Sequence, residues 1–115
     1  MPHRLHKETP QLVAAFEKRL GNDKIELLST ADCLYASGSK VDFEVVRYIA
    51  HRIVGSARLF GCEDLTKPAL DVQRLVENGA DTDVVIQAVK KLADLIDRKL
   101  VEGIPGPDLS GLKLH

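Results

Sequence analysis

The chain has 115 residues, enough for one domain with a modest core and too few for two. Its apolar share of 44% suits a globular protein, while an aromatic share of 4% makes the expected core aliphatic. With 16 basic against 17 acidic residues the formal net charge is −1, which excludes the basic footprint of a nucleic-acid or anionic-membrane binder, and no apolar run approaches the ~20 residues of a membrane helix.

The opening run MPHRLHKETP is polar and lacks the apolar centre of a secretory signal, so residues 1–8 are expected to form a polar tail. A helical pattern begins near Thr9 and Pro10, a cap-like residue before a proline suited to a first turn. Leu12, Val13, Phe16, Leu20, Leu27, Leu28, Ala31 and Leu34 carry its apolar stripe. Gly21-Asn22 interrupts that stripe and predicts a broken helix or two helices. Ser37-Gly38-Ser39-Lys40 is a loop, and Asp42 is the expected N-cap of a second helix over 42–61, stopped by Gly61. A third helix is predicted over 64–78, with Leu65, Ala69, Val72, Leu75 and Val76 inward. Pro68 should bend it unless it falls near the first turn. Asn78-Gly79 ends that helix, and Asp81 or Thr82 caps a fourth over 82–101, with Val85, Ala88, Val89, Leu92, Leu95 and Ile96 inward. Residues 103–115 hold Pro105, Gly106, Pro107 and Gly111 and form a C-terminal tail outside regular helix. The unit is therefore an all-α domain over 9–102, an up-and-down antiparallel four-helix bundle with an extra or broken N-terminal helix.

The second helix carries the candidate site. Apolar residues at 46, 49, 50, 53, 57 and 60 mark one buried face, and His51 falls at its edge. Gly55 follows one turn later on the same side. A glycine within a helix costs up to about 1 kcal/mol relative to alanine, and leaving the imidazole open to an approaching protein is one reason to keep it. A close helix–helix contact is the other. Across the expected turn at 61–63, residues equally far from the turn lie at similar height. His51 is eleven residues before Cys62 and Gln73 eleven after it, so Gln73 is the expected polar neighbour of His51. Its carbonyl can accept from Nδ1–H and leave Nε2 free.

The run His51, Ile53, Gly55, Ser56, Ala57, then Leu59, Phe60 and Gly61, resembles the phosphorylated helix of histidine-containing phosphotransfer (HPt) domains. As a pattern of helices the resemblance covers about Thr9 to Val101, and its specific part is 50–61. It implies a monomeric cytoplasmic carrier without turnover of its own. Such a carrier accepts a phosphoryl group on His51 and exchanges it with an aspartate of a response-regulator receiver domain, or receives it from a sensor histidine kinase. Gln73 would orient His51, or its amide would bond the phosphoryl group, and Gly55 would give access. No cofactor of its own is implied; the receiver brings the Mg²⁺.

One position departs from the pattern. Many HPt domains carry lysine three residues after the histidine, and here that residue is Val54. Arg58 and Arg52 are then the first candidates to balance the phosphoryl charge, although each also reads as an ordinary solvated side chain. Val54 also favours an alternative, an HPt-like binding module that docks on a kinase or receiver without carrying phosphate. The basic Arg52 beside His51 differs from the acidic neighbour found in dimeric kinase bundles. His3, His6 and His115 fall in the tails, and Cys33 and Cys62 have no metal-type spacing, so no metal site is expected and both thiols read as reduced.

Overall fold

The computed structural model describes the backbone of residues 2–105 and the side chains of residues 10–105. Among these the fold is all helical: α1 Pro2–Ser37, α2 Lys40–Leu59, α3 Glu63–Glu77 and α4 Thr82–Glu102, with no strand. Each helix packs against its neighbours in sequence and α1 packs against α4, which is compatible with a four-helix bundle. The contact between α2 and α3 is the most extensive. No helix is long and apolar enough to cross a membrane among the described residues.

The expected break at Gly21-Asn22 is absent, because α1 runs through it as one helix. Leu20 and Leu27 are fully buried on either side, in a single register with Phe16, Ala31 and Leu34. Burying two leucines is worth about 1.5–3 kcal/mol each, more than the roughly 1 kcal/mol cost of a mid-helix glycine. The helix also starts at Pro2 rather than near Thr9, so Pro2 takes the first-turn place and Pro10 lies inside. Leu12 and Leu28, expected inward, are 46% and 37% exposed; Leu28 stands about 100° round the helix from Leu27. Residues 106–115, the remainder of the expected C-terminal tail, lie outside the described residues.

Gly38 ends α1 in the left-handed region at φ +63°, and its N–H donates to Leu34 O over 2.8 Å. Ser39 is thereby left extended, and its hydroxyl accepts from the Asp42 N–H, so Ser39 rather than Asp42 is the N-cap. Asp42 stays in the first turn, where a negative charge suits the helix dipole. Gly61 and Gly79, both with positive φ, close α2 and α3 by the same pair of bonds. Cys62 N–H donates to Ala57 O and Gly61 N–H to Arg58 O; Ala80 N–H donates to Leu75 O and Gly79 N–H to Val76 O. α3 continues through Pro68, whose freed acceptor is the carbonyl of exposed Asp64 in the first turn.

All six residues expected on the inner face of α2 are buried. Leu65, Ala69 and Val72 of α3 and Val85, Val89, Leu92 and Ile96 of α4 join them, with Ile86 and Ala93 in addition. Phe16 and Phe60 stack at a centroid distance of 4.3 Å, joining α1 to the end of α2. On the opposite side of α2, Glu44, Tyr48, His51, Gly55 and Arg58 form an exposed stripe.

A Cβ built on Gly21 meets nothing within 4 Å. Gly21→Ala is therefore expected to raise the thermal midpoint, by an amount equivalent to about 0.5–1 kcal/mol. A fall in midpoint would show that the chain does not run straight through this position.

Candidate functional site

His51 sits in the middle of the exposed stripe of α2, and its ring meets α3. Nδ1 lies 3.3 Å from Gln73 Oε1, the neighbour expected from the spacing about the turn. Gln73 is half-buried and its other end donates from Nε2 to Glu77 Oε2 over 3.1 Å. Three side chains thus form a line from the end of α3 to the imidazole. Glu77 was missed from the sequence, although Gln73 and Glu77 stand four apart, the spacing at which helical side chains meet. With Nδ1 engaged by α3, Nε2 has no hydrogen-bond partner among the described residues.

A Cβ at Gly55 would meet nothing within 4 Å, so close helix packing is not the reason for glycine there. What glycine leaves is open surface beside His51. Val54 is 8% exposed and belongs to the core cluster, so the position one turn after His51 presents packing rather than charge. Leu59, 58% exposed, lies on the surface with Tyr48 at the same exposure a turn before His51. Leu59 also borders a shallow groove between α1 and α2, with Leu12, Phe16 and Ser56.

The two arginines part company. Arg58 is exposed on the His51 stripe and makes no ion pair among the described residues. Arg52 turns instead to α1, where its guanidinium donates to Asp23 Oδ1 and lies over the Tyr48 ring at 5.4 Å. Adjacent helix residues project about 100° apart, so His51 and Arg52 face different neighbours. Arg52 is therefore not assembled with His51, contrary to its selection beside Arg58. Arg47 pairs with Glu44 at 3.2 Å.

Asp23 is 3% exposed, on the same stripe as Leu20 and Leu27. An acid in an apolar stripe is itself a legible sign of a buried partner. Burial pushes the Asp23 carboxyl above its usual range, against the downward pull of Arg52 and Arg19. Arg52 Nε is buried without a partner of its own among the described residues.

Both cysteines are free: Cys33 is exposed and Cys62 buried, its thiol pushed up by that burial against the nearby Lys99. No group of three or more histidine, cysteine or acidic side chains is placed to hold a metal among the described residues. The side chains of His3, His6 and His115 lie outside them. Compared with protein-family models, curated proteins and solved structures, the chain has no match.

Two outcomes follow from this geometry. Gly55→Leu should keep the fold and slow acylation of His51 by diethyl pyrocarbonate, read by mass spectrometry on the peptide that contains it; an unchanged rate would remove access as the role of Gly55. Arg52→Met should lower stability at neutral pH by about 3 kcal/mol, the low end for a broken buried pair because Arg52 is partly exposed. Burial raises the Asp23 carboxyl and Arg52 pulls it back, so without Arg52 its pKa rises further and the variant gains more stability than wild type as pH falls through that higher folded value. The variant's deficit should accordingly shrink as denaturant unfolding is repeated at lower pH.

Proposed function

We propose that this chain is a phosphoryl carrier of the HPt kind, built as an up-and-down antiparallel four-helix bundle with His51 as the acceptor. The observation that carries the reading is the exposed His51 held at Nδ1 by Gln73, 3.3 Å away, beside a glycine that no packing requires. The resemblance over 50–61 supplies the reaction class.

In this reading the Nε2 lone pair attacks the phosphorus of a receiver's aspartyl phosphate. The N–P bond forms as the P–O bond to the aspartate breaks, and the carboxylate leaves with its electron pair. The Nδ1 proton stays in place, so the ring becomes cationic, and its hydrogen bond to the Gln73 carbonyl strengthens as a charge-assisted bond. Arg58, exposed two turns along the same stripe, is the cation available to the phosphoryl oxygens. The donor is a receiver domain or a sensor kinase, and the receiver contributes Mg²⁺. Exposed Tyr48, one turn before His51, and exposed Leu59, about two turns after it, offer apolar surface on the same helix suited to docking. The work implied is cytoplasmic and done by a monomer.

Buried Val54 favours a second reading, a module of this architecture that docks on a kinase or receiver without accepting phosphate.

The test is transfer from a panel of phosphorylated receiver domains and active kinases to wild type and His51→Gln. Acid-labile, base-stable phosphate on the wild type, with label at background on His51→Gln, is the expected result. Equal label on both would refute the assignment of His51. Binding to a receiver without label on either protein would select the second reading.

A further inference from the structure

The Gln73 carboxamide has two ends, and the end that faces His51 decides which ring nitrogen is free. If the carbonyl faces the ring, Nδ1 carries the proton and Nε2 keeps the lone pair. If the NH₂ faces it, the assignment reverses. The pair alone does not choose, because an imidazole and a carboxamide can each donate or accept. Glu77 chooses. Its Oε2 lies 3.1 Å from Gln73 Nε2, and a carboxylate has no proton to give. Turning the amide over would set two acceptor oxygens against each other with nothing between them. The NH₂ is thereby committed to Glu77 and the carbonyl to Nδ1. No lysine or arginine is paired with Glu77 among the described residues, so its carboxylate remains available to Gln73.

We infer that Glu77 is a positioning residue: acting through Gln73, it holds neutral His51 in the Nδ1–H tautomer and presents the Nε2 lone pair to solvent. A free imidazole side chain in water favours its proton on Nε2, so the unassisted ring would mostly mask the exposed nitrogen. The hydrogen bond at one ring nitrogen sets the state of the other. The value of this arrangement for phosphoryl transfer rests on the carrier reading, whereas the tautomer itself does not.

The experiment is ¹⁵N NMR of the His51 ring in the full chain, assigned by comparison with His51→Gln. It is run on the alkaline plateau, where the ring ¹⁵N shifts no longer change with pH and the neutral ring is read. Wild type should show a protonated, pyrrole-type Nδ1 and a pyridine-type Nε2. Glu77→Ala should move the population towards Nε2–H. Glu77→Lys should go further, because an ammonium only donates and draws the Gln73 carbonyl away, leaving the ring mostly Nε2–H. Unchanged backbone amide shifts along α2 would show that the fold is intact in each variant. A wild-type ring with its proton on Nε2, or an Nδ1–H ring in both Glu77 variants, would overturn the inference. Tautomer inversion without phosphate uptake by any form would sustain it while removing the carrier reading; uptake with a tautomer indifferent to residue 77 would do the reverse.

Discussion

Burial of one face of α2 is the constraint from which the site follows. Val46, Ile49, Ala50, Ile53, Val54, Ala57 and Phe60 all leave solvent together. At about 1.5–3 kcal/mol for each large apolar side chain, they fix the rotation of the helix more firmly than any surface preference. A turn of 100° would bury His51 and expose part of that face. The exposure of His51 is thus a property of the core. Its height is set at the other end of the same helix, where Gly61 closes α2 and the Cys62 N–H reaches back to Ala57 O. Starting α3 at Glu63 then brings Gln73 level with His51.

The same rotation divides two neighbouring polar residues between two tasks. His51 faces the seam with α3, and Arg52 faces α1, where Asp23 holds its guanidinium. The pair at Asp23 is a poor source of net stability, because desolvation of the carboxylate offsets much of the attraction. Leaving that acid unpaired costs more than pairing it returns, so an alignment of α1 and α2 that separates Asp23 from Arg52 is penalised. The link engages the Arg52 guanidinium with Asp23 and the Tyr48 ring rather than with the imidazole.

Much of this was legible in the chain. Helical periodicity identified four helices' worth of inward residues, and counting from the turn at 61–63 placed Gln73 beside His51. These succeeded because they depend on burial and on helix geometry, which act the same way in every helix. The misreadings occurred where a local signal competed with tertiary packing. Gly21-Asn22 has the composition of a break, yet Leu20 and Leu27 hold the helix through it. Asp42 has the chemistry of a cap, but the left-handed turn at Gly38 leaves Ser39 in the capping conformation instead. Arg52 was selected by proximity in sequence, which on a helix means a different face. Glu77 and Asp23 were overlooked because each acts through a partner that only the packed structure supplies.

Under the carrier reading, the departure at Val54 shifts where charge is balanced. A lysine one turn after the histidine would meet the phosphoryl oxygens directly. Here that position belongs to the core, and introducing an ammonium would trade packing for charge. The available alternative works on the ring itself. On that reading the imidazole becomes cationic as Nε2 bonds to phosphorus, and Gln73 Oε1, 3.3 Å from Nδ1, is placed to accept from it. Positive charge on the ring lies next to the phosphoryl group it carries, nearer than any side chain two turns away. On that reading the cationic ring is a good leaving group when the phosphoryl moves on, while Arg58 on the same exposed stripe is the side chain available to its oxygens.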